Sequence, residues 1–310
     1  MLSRQNKLYL KKLFSLFSVV RGYNIFIIVV AQYLSAVYIL APQLSPLNIV
    51  LDRKLFILVF ASSLAIAAGY IINNFYDSEK DLINRPQKTK IDRLVSQKTK
   101  LSVYFTLNII TVLLASYVSF KASLFFSTYI FFIWFYSHKL KKYPFIGNIT
   151  ASMLAIIPFF IVLIHYANFK WIIVLHGIFL IAIISMREIT KDLENLKGDL
   201  ALNYQTIPVS YGIAYTKKLL TAFTIFTILA MVVLAQQSEI GKMYYFLYFA
   251  MTVLVIYLIK LWKANTKTQY VFLHNLLKFI IVTGVFSIVL INTKTLLNAF
   301  SYLIHLTSKV

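Results

Sequence analysis

Along this chain apolar residues do not alternate with polar ones as in a half-buried strand. They gather in long charge-free runs separated by short polar clusters. The runs are Gly22–Leu51, Leu55–Tyr76, Leu101–Phe120, Ala122–His138, Tyr143–Phe169, Trp171–Met186, Leu219–Ser238, Met243–Ile259 and Thr268–Thr293, the last broken only by Lys278. About 20 apolar residues cross a bilayer as a helix, and somewhat fewer suffice when polar ends reach the interface. The pattern therefore predicts nine transmembrane helices, and the lack of alternating strands excludes a barrel. A basic, partly amphipathic segment from Leu2 to Arg21 precedes the first run without a small-residue cleavage signature, so 1–21 is expected to be retained as a cytoplasmic arm. The stretch TLLNAFSYLIHL is too short to span, and 295–310 is expected to lie at the outer interface. Residues 1–310 thus read as one all-α, polytopic membrane domain.

Composition agrees: 60% of the 310 residues are hydrophobic, 13% are charged, and mean hydropathy is +0.76. The absence of cysteine excludes disulfides and thiolate metal sites. Charge sets the expected orientation, with the N terminus in the cytoplasm and the C terminus opposite. One face then receives 24 of the 31 Lys and Arg, and the other only Arg53, Lys54, Lys121, Lys170, Lys242, Lys294 and Lys309. The net charge of +21 is accounted for by this bias and by contact with anionic lipid headgroups. No basic, aromatic-interleaved soluble region is present to bind nucleic acid.

The acids depart from this logic. Eight of ten lie on the basic face, as Asp77, Glu79, Asp81 and Asp92 after the second run and Glu188, Asp192, Glu194 and Asp199 after the sixth. Asn73, Asp77 and Asp81 are spaced by four and share a face if the helix continues; Glu188, Asp192, Asn195 and Asp199 form a second stripe. Two facing acidic stripes repel unless a cation lies between them. A divalent ion is the natural partner, and Mg²⁺ suits carboxylate, water and phosphate oxygens. Interleaved cations, among them Lys80, Arg85, Lys88, Arg93, Arg187 and Lys191, point to a metal-bridged diphosphate rather than to a cation path. For any single acid, the plainer alternative of a solvated helix end or a local ion pair stays open.

The motifs resemble the UbiA superfamily of intramembrane prenyltransferases. NNFYDSEKDLINRP, from Asn73 to Pro86, is similar to the family's first signature, Asn-Asp-x-x-Asp-x-x-x-Asp followed by Ile-Asn-Arg-Pro. REITKDLENLKGD, from Arg187 to Asp199, and QTIPVSYG, from Gln205 to Gly212, resemble the second signature of the branch acting on geranylgeranylglyceryl phosphate, homogentisate and chlorophyll. VRGYN at 20–24, YSHKLKK at 136–142 and Gly147-Asn148 also match in order, so the resemblance covers about residues 13–292. Asn74 stands where Asp is usual and Asn195 replaces an Asp of the second signature, each keeping an oxygen ligand while losing a charge. The loop KTKIDRLVSQK after Pro86 also departs from the family's usual continuation.

The resemblance implies nine helices around a central cavity open to lipid, and Mg²⁺-dependent transfer of a prenyl group from a prenyl diphosphate to a lipophilic acceptor. It implies one metal held by Asn73, Asp77 and Asp81 and another by Asp192, Asn195 and Asp199. Diphosphate contacts are expected from Arg21, Asn24, Arg85, Arg93, Tyr136, Lys141, Asn148 and Lys191. The catalytic set is then Asp77, Asp81, Asp192, Asp199 and Lys141, near the cytoplasmic face. The form of the second signature leans to a geranylgeranylglyceryl phosphate-like acceptor. Quinone-precursor acceptors and a catalytically silent lipid-binding homologue remain alternatives. A transporter is disfavoured because the acids cluster at one face and the chain has only 8 Gly and 6 Pro.

Overall fold

The computed structural model describes residues 4–295; the expected interfacial tail lies almost wholly outside the described residues. In chain order the α-helices are α1 (Arg4–Val20), α2 (Gly22–Ser35), α3 (Pro46–Val50), α4 (Arg53–Tyr76), α5 (Ser78–Asn84), α6 (Pro86–Asp92), α7 (Gln97–Val118), α8 (Phe120–His138), α9 (Ile146–Tyr166), α10 (Trp171–Ala201), α11 (Ile207–Ala235), α12 (Tyr244–Lys263) and α13 (Lys267–Ser287). Helix α2 runs on through a π-helical turn, Ala36–Leu40.

Each of the nine apolar runs contributes one long helix among the described residues. Eight are long and apolar enough to cross a membrane by themselves. The other, α8, has 19 residues diluted by Lys121, Ser127, Thr128 and His138, and packs against α4, α7 and α9. The protein is an integral membrane protein. Side chains on the rim face lipid, as on α7, where Phe105, Ile109, Leu113 and Tyr117 recur every fourth residue and are exposed. The opposite face of α7 is closed by Tyr104, Thr111 and Ala115.

Two apolar cores divide the bundle. One joins α4, α7, α8 and α9, with residues of α2 and its π-turn packed in; the other joins α10, α11, α12 and α13. Helix α2 touches both α4 and α13, so it closes the ring between two four-helix halves. Each half begins with a helix that leads into an acidic stripe: α4 is followed by Asp77 and Asp81, and α10 carries Asp192 and Asp199 in its later turns.

Several polar groups within the bundle find partners on neighbouring helices, which a lipid surround favours. Pro158 cannot donate to the Leu154 carbonyl, which accepts the Tyr129 hydroxyl at 3.2 Å instead. The Pro158 carbonyl accepts Gln32 Nε2 at 2.7 Å. Asp52, one of the two acids away from the stripes, caps α4 by accepting from the Lys54 and Leu55 amides and pairs with His165 at 2.7 Å.

Candidate active site

Three helix ends build the site. Helix α4 stops at Tyr76, and Asp77 adopts φ −91°, ψ 2° before α5 begins. The break leaves the ladder intact: the Asp77 amide donates to Asn73 O at 2.9 Å and the Asp81 amide to Asp77 O at 2.8 Å. Asn73, Asp77 and Asp81 therefore keep one face, and all three line a cavity of about 1040 Å³. Helix α10 is one uninterrupted helix of 31 residues, and its later turns bring Glu188, Asp192 and Asn195 to the same cavity. Away from the acids the walls are apolar, including Ile66, Leu154, Phe159, Ile184 and Ile281.

The third end is the tight turn before α9. Gly147 lies against the turn backbone, where a Cβ would come to 3.0 Å from Leu140 O, and this close approach seats Lys141 beside α4. Lys141 Nζ donates to Asp77 Oδ1 at 2.7 Å and to Asn73 Oδ1 at 3.4 Å. In the first turn of α9, Asn148 Nδ2 donates to Asp192 Oδ2 at 2.7 Å. Lys80 bridges the two stripes, 3.5 Å from Asp77 and 3.3 Å from Asp199.

The electrostatics follow from this packing. Burial opposes ionisation of Asp77, but Lys141 and Lys80 outweigh it and hold the carboxyl at about 2. Burial, only partly offset by Asp77, lowers the Lys141 ammonium to about 8. Lys80 is also buried, yet Asp77 and Asp199 raise it. Asp81 is raised by burial and by the neighbouring Asp77 charge, and its side chain makes no ion pair or hydrogen bond among the described residues.

Two clamps hold the motifs together. The buried Asn84 donates through Nδ2 to Asn195 O at 3.1 Å and accepts the Gly198 amide at 3.2 Å, so α5 docks directly on α10. Lys267 at the start of α13 donates to the Asn84 carbonyl. Beside it, Glu194 binds Arg85 at 2.6 Å and His274 Nδ1 at 2.8 Å. Behind α4, Asn74 donates to Asp92 at 3.0 Å and accepts Lys100 at 2.8 Å, while Asp92 also takes Lys88 and Ser18. Most of these contacts join residues far apart in sequence, which is why local spacing did not reveal them.

Of the residues expected at the site, Arg21, Asn24, Asn73, Asp77, Asp81, Arg85, Tyr136, Lys141, Asn148, Lys191, Asp192 and Asn195 line the cavity. Arg21 is a non-glycine residue in the left-handed region, φ 51°, at the corner where α1 turns into α2, and its guanidinium lies over the Tyr70 ring at 5.1 Å. Asp199 is buried behind Lys80, outside the cavity lining, and Arg93 is exposed away from it. Asn74 faces the Asp92 cluster, so its lost charge falls outside the cavity. Tyr23, Lys80, Arg187, Glu188 and Lys278 line the cavity but were not among the expected site residues. For Lys278 the signal was present, as the single charge in the last apolar run.

The donors suit a hard divalent cation. They are all oxygens, the Asp81 carboxylate has no hydrogen-bond partner, and Asn195 Oδ1 is buried without a hydrogen bond. No three His, Asp or Glu side chains converge as a preformed cage among the described residues. The carboxylates instead reach the cavity from different helices, Asp81 from α5 and Glu188 and Asp192 from α10.

Comparison with known proteins places these features. Residues 29–277 match the model of the UbiA prenyltransferase family. Over 193 residues the chain is 31% identical to digeranylgeranylglyceryl phosphate synthase of Thermococcus sibiricus, covering 62% of this chain and 67% of that one. The corresponding protein of Methanobrevibacter smithii is 30% identical over 52% of this chain and 59% of its own length. The aligned parts thus span about six to seven tenths of these curated relatives. A solved structure described as a digeranylgeranylglyceryl phosphate synthase in membranes superposes with TM-score 0.64 at 19% identity, over 90% of this chain and 97% of that chain. A UbiA homolog from Archaeoglobus fulgidus bound to GPP and Mg²⁺ superposes with TM-score 0.64 at 12% identity, over 89% and 99%. These two show the shared fold.

Proposed function

The chain belongs to the UbiA prenyltransferase family, and on that premise we propose that it transfers a prenyl group, of geranylgeranyl type, from its diphosphate to a lipid acceptor resembling geranylgeranylglyceryl phosphate. One observation carries this reading: Asp77 and Asp81 on one wall and Asp192 and Asn195 on another meet in a single cavity whose remaining walls are apolar. Polar ends for a diphosphate and apolar walls for its chain are what such a donor needs. The names of the relatives support the acceptor class.

Mg²⁺, held by Asn73, Asp77 and Asp81 and by Asp192 and Asn195, would neutralise the charge that grows on the departing diphosphate. Asp199 would act on this set through Lys80. Lys141 and Lys80 present ammonium groups to the same space, and Arg21 and Lys191 add two more cations. These groups favour the separated charge of the transition state over the unbroken bond. In the reaction the allylic C–O bond breaks with its electron pair leaving on the diphosphate. An acceptor hydroxyl oxygen then bonds to the freed carbon, and its proton passes to the diphosphate. Tyr136 and Tyr70 line the cavity and can steady the allylic cation, while the apolar walls exclude water. By the distribution of basic residues the site faces the cytoplasm, with the N terminus on that side.

The test uses purified protein, labelled geranylgeranyl diphosphate, Mg²⁺ or EDTA, and a panel of lipid and aromatic acceptors. Product should require Mg²⁺ and fall by about 10³-fold in Asp77→Ala. Turnover untouched by EDTA refutes the metal role, and product formed only on an aromatic ring refutes the lipid acceptor. Mg²⁺-dependent binding of the diphosphate without any product would make the chain a silent homologue.

A further inference from the structure

Lys278 has no place in the donor site just described. It lies in α13, a spanning helix with no other Lys, Arg, Asp or Glu between Thr268 and Thr293. An ionised lysine inside a membrane helix is costly, so its retention calls for a partner or a task. Among the described residues no carboxylate lies within 4 Å of it, whereas Lys80, Arg85, Lys141, Arg187 and Lys191 each have one. Its Nζ rests 4.3 Å from the centre of the Tyr23 ring, and both side chains line the cavity.

This pair stands on other helices than the acidic stripes. Tyr23 belongs to the first turn of α2 and Lys278 to α13, two helices in contact with each other, whereas the acids of the stripes stand at the break after α4, on α5 and on α10. Arg187, whose ion-pair partner is Glu188, lines the same cavity from α10. Tyr23 and Phe26 line the cavity yet are 55% and 64% exposed, so the cavity reaches the surface beside α2. A carboxylate-lined site needs a metal before it accepts an anion; a cation without a counterion does not.

We propose that Lys278, with the Tyr23 hydroxyl and Arg187, binds the phosphate of a lipid acceptor inside the cavity, and so selects phosphate-headed lipids over neutral ones. This assignment rests on the transferase reading for its use, though not for its chemistry. The plainer account, a lysine reaching outward to the headgroups of the bilayer, predicts no selectivity inside the cavity.

The experiment compares Lys278→Met, Lys278→Arg and Tyr23→Phe with the parent protein in detergent. Binding of geranylgeranylglyceryl phosphate and of its dephosphorylated alcohol is measured without Mg²⁺, then the separate KM values for donor and acceptor with it. Lys278→Met should weaken the phosphate lipid by about tenfold or more, the scale of one charge-assisted hydrogen bond, and Tyr23→Phe by a smaller factor. Lys278→Arg should stay within about threefold, and the alcohol and the donor KM within about twofold, since neither engages the subsite charge. An equal loss for donor and acceptor would make Lys278 a donor clamp and overturn the assignment. Unchanged binding of the phosphate lipid would overturn it in favour of the headgroup lysine. If the parent protein transfers no prenyl group at all, the transferase reading fails, and the binding comparison still decides the subsite.

Discussion

Replacing Gly198 by Ala tests whether the clamp between the two motifs governs the site. A Cβ at 198 would lie 2.8 Å from Asn84 Cγ and 3.1 Å from its Oδ1, with Nδ2 nearer still, while ordinary contact begins at 3.4 Å. Asn84 must therefore retreat by roughly 1 Å, a displacement on the scale that costs about 10²-fold in rate when it reaches catalytic groups. Asn84 is the last residue of α5, which carries Asp81, and Arg85 follows it directly. Two hydrogen bonds are lost, from Asn84 to Asn195 O and from the Gly198 amide, at about 1 kcal/mol each. The gain in helix propensity from Gly to Ala offsets about 1 kcal/mol of this. The net cost is on the order of 1 kcal/mol in stability, and more where the displaced amide stays buried without partners.

A double-mutant cycle with Asn84→Ala isolates the clamp. All three atoms nearest the added Cβ are ones that alanine at 84 lacks. In the parent background Gly198→Ala should lower kcat/KM about 100-fold and weaken Mg²⁺-dependent diphosphate binding. In the Asn84→Ala background the same change should be neutral or slightly stabilising, because only the propensity gain remains. Thermal unfolding in detergent and steady-state kinetics on the four proteins measure the coupling. Additive effects would show that the cost of an alanine at 198 does not pass through Asn84, and the clamp would lose its role.

Two further substitutions probe the charges around this clamp. Asn195→Asp adds a carboxylate at a buried position on the stripe that holds Asp192 and Asp199, so the melting temperature should fall without metal and recover with Mg²⁺. The Mg²⁺ concentration for half-maximal diphosphate binding should drop by roughly threefold or more, and an unchanged titration would remove Asn195 from the ligand set. Glu194→Gln leaves Arg85 and His274 without their shared carboxylate, a loss of about 3 kcal/mol for a largely buried pair, so the protein should melt roughly 5 °C lower. An unshifted melting curve would make that ion pair incidental.

Much of this was legible in the linear pattern, and for a physical reason. In lipid each segment must satisfy its own backbone, so a charge-free run of sufficient length becomes a helix whatever its neighbours do. The acidic stripes were legible too, because a spacing of four residues keeps side chains on one helical face, and the ladder from Asn73 through Asp77 to Asp81 survives the break at Asp77. Charge counting had no such access to pairing. Arg93 and Arg85 looked equivalent by composition, but one is exposed and the other binds Glu194, 109 residues away. Asp199 shares a stripe with Asp192 yet turns into the protein toward Lys80. Asn74 and Asn195 both replaced an acid in the motifs; only Asn195 reaches the cavity.

The linear order of residues was enough for the apolar runs, their helical form and the faces on which the acids lie, since these depend on interactions within one helix or between one helix and lipid. Packing settled which charges share the cavity, which neutralise one another, and that Lys278 faces Tyr23. Those outcomes depend on contacts between helices that meet only after the bundle closes, where a few ångströms separate a buried ion pair from a cation that packs on an aromatic ring instead.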